Sequence, residues 1–144
     1  MRFVKIISFL LIAFLLTGTS CRNKQKAKDT VRIKTTLFDK ELPEIKKMIN
    51  GKWELVSGKN SREVCEYENT FIEFNDDKYI WTEDGKQEPG ELNWRKADTG
   101  IGYDAYLMDV FYETNPAYPL LINGDTLILQ DCSQTGYKYT LIRK

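Results

Sequence analysis

After Gly51, short apolar runs rich in Ile, Leu, Val, Tyr, Phe and Trp alternate with polar clusters of Asn, Asp, Gly and Pro. Runs of that composition between turn-forming clusters read as β-strands, whose successive side chains take opposite faces. The predicted strands are "KWELVSG", "CEYENTFIEFN", "KYIWTED", "GELNWRK", "AYLMDVFYE", "YPLLIN", "DTLILQDC" and "YKYTLIR". Turn-forming residues separate them: Asp76-Asp77, Asp84-Gly85, the Gly100-Ile101-Gly102 stretch, Asn123-Gly124 and Gly136. In "LLINGDTLIL" the Asn123-Gly124 pair tolerates positive φ at both central positions, which predicts a type I′ hairpin between two apolar arms. Ahead of the strands, Leu42, Ile45, Met48 and Ile49 fall at helical spacing. Pro43 suits a first turn and Gly51 a stop, so a short helix precedes the sheet.

Successive hairpins of short strands, about eight in about 95 residues of a single domain of about 105, predict an all-β domain: a compact up-and-down antiparallel barrel. Closure would remove the sheet edges that expose a strand-rich chain to aggregation. A two-sheet sandwich is the other arrangement that fits the pattern.

The first residues follow a different pattern. "MRFVK" carries Arg2 and Lys5 and no acid, Ile6 to Leu16 is almost purely apolar, and Thr17, Gly18, Thr19 and Ser20 follow. A charged start, an apolar centre and a small-residue zone describe a secretory signal over residues 1–20. A spanning helix needs about 20 apolar residues, so this run is too short to be one. Small residues directly before Cys21 resemble the lipobox of bacterial lipoproteins, although Gly18 stands where that family has an aliphatic residue. The resemblance implies a diacylated Cys21 at the mature N-terminus and a membrane anchor. An ordinary cleaved signal with a nearby cysteine is the other reading.

Charge extends that division. Between Arg22 and Lys34 stand six basic residues and one acid, Asp29, with no aromatic side chain. Such a run buries too little apolar surface to order itself, so residues 21–38 read as a flexible tether, and 39–144 as the domain. Its lysines either lie against anionic headgroups or are merely solvated. The whole chain balances 21 basic against 21 acidic residues. Without the signal and tether, 13 basic and 20 acidic residues remain in 35–144, a net charge of about −7. Nucleic-acid binding, which needs a basic face, is therefore not expected.

"NGKWELVSG" sets Gly51 and Trp53 on the first strand straight after the helix, and "YKYTLIRK" sets Arg143 on the last. A G-x-W opening with a terminal-strand arginine resembles the lipocalin, or calycin, barrel. The match is to the compact lipocalin-like lipoproteins of Bacteroidetes-type bacteria. The resemblance implies that Arg143 lies over the Trp53 ring and closes one end of the barrel, a structural and not a catalytic role. Guanidinium over indole adds cation–π attraction to packing.

With Cys21 lipidated, Cys65 and Cys132 form an even pair in an exported domain, which predicts a disulfide; two separate buried thiols are the alternative. The chain has no histidine, which removes the commonest general base and most transition-metal sites. The acids of "NDDKYIWTEDGKQEPGE" sit at turn positions without calcium-loop spacing. No enzyme activity, cofactor or metal is expected.

Aromatic residues are the better lead. Alternation groups Tyr79 with Trp81, Leu92 with Trp94, and Tyr106 with Met108 and Val110. Facing inward, Tyr79, Trp81, Trp94, Tyr106 and Met108 would line an apolar cup for a small hydrophobic ligand, or simply fill the barrel. Facing outward, they would form a protein-contact patch. "DTV" at Asp29–Val31 and "DTL" at Asp125–Leu127 resemble a short O-glycosylation sequon of Bacteroidetes secreted proteins, with Thr30 the accessible acceptor. The sequence therefore predicts a lipid-anchored envelope protein that binds a small hydrophobic ligand, or, alternatively, an interaction or inhibitor barrel serving an envelope complex. The absence of Asp after Cys21 and of acids in "RNKQK" points to the outer membrane, facing the periplasm.

Overall fold

The alternating runs fold as strands. A computed structural model describes residues 33–110 and 115–144. The signal, Cys21, Thr30 and all but the last residues of the tether lie outside them. Among the described residues the strands are β1 Lys34–Thr36, β2 Gly51–Lys59, β3 Val64–Glu66, β4 Thr70–Asn75, β5 Lys78–Glu83, β6 Lys86–Glu91, β7 Arg95–Asp98, β8 Asp104–Leu107, β9 Ala117–Asn123, β10 Thr126–Asp131 and β11 Lys138–Arg143. The helix α1, Leu42–Ile49, lies between β1 and β2, with Pro43 in its first turn. Two predicted runs divide: "CEYENTFIEFN" breaks into β3 and β4 at Asn69, whose φ is 50°, and "GELNWRK" breaks between β6 and β7.

Every ladder is antiparallel. The large sheet runs β1-β9-β10-β11-β2-β4-β5-β6, with β3 beside β2, and β7 pairs with β8. The strand after the helix and the last strand, β2 and β11, meet as the lipocalin resemblance implies, Arg143 opposite Trp53 and Leu141 opposite Leu55. Residues directly opposite share a face, so Trp53, Ile72 and Trp81 form one inward row. Leu55, Leu127 and Leu141 form the next. Ile45 and Ile49 of α1 join this core, whose central side chains are fully buried. Each large apolar side chain so buried contributes about 1.5–3 kcal/mol.

The predicted closed barrel is not found. Met108 and Ala117 exchange two backbone hydrogen bonds, at 2.8 and 3.0 Å, and so link the end of β8 to the start of β9. No ladder joins β6 to β7. Pro89 supplies the reason. The Leu92 N–H donates to the Asp77 carbonyl at 2.7 Å, and the β5–β6 ladder alternates from there. Tyr79 and Gly90 therefore bond each other, while the backbone groups of Gln87, Pro89 and Glu91 face the free edge. Pro89 has no N–H, so a donor is missing at the centre of that edge and a β7 ladder cannot run through it.

Two hairpins show how turn chemistry played out. Asp84 and Gly85 both have positive φ, 48° and 79°, as a type I′ turn requires. At the other, Thr126 pairs with Asn123, so the two-residue loop is Gly124-Asp125 and only Gly124 has positive φ, 60°. That is the pattern of a type II′ turn, one residue later than the I′ turn expected at Asn123-Gly124.

The tether also ends earlier than its charge predicts. Thr35 pairs with Ile122, Leu37 is fully buried and Phe38 packs on a second apolar cluster of Ala105, Leu107 and Tyr118. Burying Leu37 and Phe38 compensates the ordering of three polar strand residues, a gain that a charge count over Arg22–Lys34 does not register.

Candidate functional site

The end of α1 is joined to the core at Trp53 and Arg143. Its last carbonyls have no helical partner. Arg143 donates to the carbonyls of Met48 at 2.8 Å and Asn50 at 3.0 Å, and the Trp53 indole N–H donates to that of Ile49 at 2.7 Å. The Arg143 guanidinium lies 4.1 Å from the centroid of the Trp53 ring. Three consecutive carbonyls at the negative end of the helix dipole thus meet donors, one of them cationic. Gly51 permits the close approach: its φ is 115°, and a Cβ there would lie 3.2 Å from Arg143 Nη1. Asn50 also clamps the β4–β5 turn, accepting from the Asp76 N–H at 3.0 Å and donating to its carboxylate at 3.3 Å. Lys46 pairs with Asp77 beside it.

The aromatic candidates turn inward. Tyr79 and Met108 belong to the main core, and Trp81, Trp94 and Tyr106 pack against it. The Trp94 indole N–H is buried without a hydrogen-bond partner among the described residues. Four hollows among the described residues, of about 370, 230, 270 and 450 Å³, do not bring these residues together: Tyr79 lines one, Trp81 another, and Trp94, Tyr106 and Met108 none of the four.

Opposite α1, a polar group enters the core. Asp131 is 3 % exposed. One carboxylate oxygen accepts from the Tyr137 N–H at 3.1 Å, and the other has no partner among the described residues. Burial pushes its carboxyl up, while hydrogen bonds from Tyr137 and Tyr139 pull it back. Tyr67 is pushed up chiefly by burial, then by the charges of Cys65, Asp131 and Glu83. Asp131 was legible in principle: in "DTLILQDC" it shares the face of Leu127 and Leu129.

The predicted disulfide is absent: Cys65 and Cys132 are both free thiols. Cys65 stands opposite Gly58, Gly58 opposite Tyr139, and Tyr139 opposite Leu129. Three strand spacings separate Cys65 from β10 by more than about 10 Å, whereas bridged cysteines need Cα atoms about 4.4–6.8 Å apart. Cys132, just past β10, instead donates to the Asp98 carbonyl at 3.2 Å. Burial, with the nearby Asp98 charge, pushes its thiol up, away from a reactive thiolate.

The outer faces carry the remaining features. Val56 and Val64 are exposed and, with Tyr67, line the 450 Å³ hollow beside Glu66 and Glu68. The 370 Å³ hollow lies across the ends of β10, β11 and β2, where Gln130, Lys138 and Lys59 stand in one cross-strand row. Sequence reading passed over both lysines, because only the register sets them side by side. No described helix is long and apolar enough to cross a membrane. No family model, curated protein or solved structure matches the chain.

Proposed function

We propose that the chain is a lipid-anchored envelope lipoprotein, held through Cys21 at the outer membrane facing the periplasm, whose lipocalin-like domain is a non-enzymatic protein-interaction module. The observation that carries this reading is the packed interior. Of the residues that would cradle a hydrophobic ligand, Tyr79 and Met108 are buried and Trp81, Trp94 and Tyr106 pack half-buried against a core in which Trp53, Ile72, Leu127 and Leu129 are fully buried. The lipocalin-like part rests on the Arg143–Trp53 stack, the short helix and the antiparallel meander.

A contact face is present outside. Val56, Val64 and Tyr67 offer apolar area at the 450 Å³ hollow, flanked by Glu66 and Glu68. In a domain of about −7 net charge, that face suits a partner presenting an apolar side chain between basic ones.

Site-specific photo-crosslinking in the native host tests the reading. A crosslinker at Val64 should give one discrete adduct with a basic-faced envelope protein, which Glu66→Lys abolishes, whereas one at Ile80 should not. A fluorescent apolar probe, N-phenyl-1-naphthylamine, should show no saturable binding. Saturable probe binding lost in Trp94→Ala, with no adduct at Val64, would restore the carrier reading. Labelled palmitate should enter the wild type and not Cys21→Ser.

A further inference from the structure

We infer that the 370 Å³ hollow at the ends of β2, β10 and β11 is a binding site for a phosphomonoester, with Lys59 and Lys138 as its charge-bearing residues. The inference is independent of the partner face above.

Lys138 stands directly opposite Lys59 across the β11–β2 ladder. Like charges at directly opposed positions repel and weaken a sheet. Neither lysine has an ion-pair partner among the described residues, although the domain holds more acids than bases. The hollow has no acidic lining residue, while each of the other three carries at least one. Two directly opposed cations in a hollow without an acidic lining residue are a place where a bound anion would relieve their repulsion.

The rest of the lining narrows the ligand. Gln130 extends the lysine row and is 7 % exposed, yet among the described residues its amide makes one long contact, donating to the Asp131 carbonyl at 3.5 Å. A buried amide so weakly used retains hydrogen-bonding capacity for a ligand. Ser61 and Ser133 add hydroxyls, and Ile101, from the β7–β8 turn, adds an apolar wall. Two ammonium groups balance a phosphomonoester, which carries about −1.5 to −2 at neutral pH, better than a single carboxylate. The volume is within the range of small-molecule sites and exceeds inorganic phosphate, leaving space for a small polyol on the ester. The ester could be soluble or a lipid headgroup, since the recognising chemistry is shared.

Calorimetric titration of the domain with sn-glycerol 3-phosphate, and flotation with phosphatidylcholine vesicles with and without phosphatidic acid, test the site. Saturable binding of the soluble ester, weakened at least about tenfold in Lys59→Gln/Lys138→Gln, supports the site with a soluble ligand. Lysine-dependent flotation with phosphatidic acid alone supports it with a headgroup. Lack of both, or binding unchanged in the double variant, overturns the proposal. Thermal melting guards against a folding artefact. Relief of like-charge repulsion should make the double variant melt at or above the wild type without ligand, and the bound ester should raise only the wild type's midpoint.

Discussion

Tyr79 lies across Gly90, its directly paired neighbour, so closely that a Cβ on Gly90 would fall 2.3 Å from the ring's Cζ. Gly90 therefore serves packing: its missing side chain is the space the Tyr79 ring occupies. Gly90→Ala should destabilise the domain by about 1–3 kcal/mol, because the buried Tyr79 ring must leave the space it fills. Adding Tyr79→Ala should recover part of that loss. Urea unfolding of the four proteins in a double-mutant cycle checks it, and additive effects would remove the explanation.

Removing the Arg143 side chain leaves the Met48 and Asn50 carbonyls without their donor and the Trp53 ring uncovered. Arg143→Met should cost about 2–3 kcal/mol. Arg143→Lys should restore less than half, since one ammonium cannot both bridge two carbonyls and lie flat on an indole. Denaturant midpoints measure both.

The edge of β6 is blunted by Pro89. Pro89→Val restores the missing N–H and presents an uninterrupted edge, which invites strand pairing between molecules. The variant should self-associate with rising concentration in sedimentation velocity while the wild type does not change.

Asp131 gives a pH signature. Burial raises its folded pKa above the ordinary 3.8, so the folded state holds its proton to higher pH than the unfolded chain does. Stability from this group is complete below about 3.8 and falls as pH rises through the folded value. Asp131→Asn should therefore raise the melting midpoint more at pH 7 than at pH 3.5. An equal effect at both would show that folding does not raise the carboxyl's pKa.

Much of the architecture was legible in local pattern. The apolar runs between turn residues located most strands, the helical spacing at Leu42, Ile45, Met48 and Ile49 located α1, and Trp53 and Arg143 stood on the strands that pair. The same alternation grouped Tyr79 with Trp81 and Tyr106 with Met108, and the structure turned those groups inward. These features depend on which face a side chain takes, and that is decided within a few residues.

Other features required the assembled sheet. Whether the meander closes turned on which edge the missing N–H of Pro89 faces, and that follows from the β5–β6 register. Strand spacing separated Cys65 from Cys132, the burial of Leu37 and Phe38 drew β1 out of a basic run, and ladder pairing alone set Lys59 against Lys138. Sequence by itself determined the elements and their faces, because steric alternation is local. Register, edge and separation were decided by the tertiary structure, because they depend on contacts between residues far apart in the chain, which only joint burial of the core brings together.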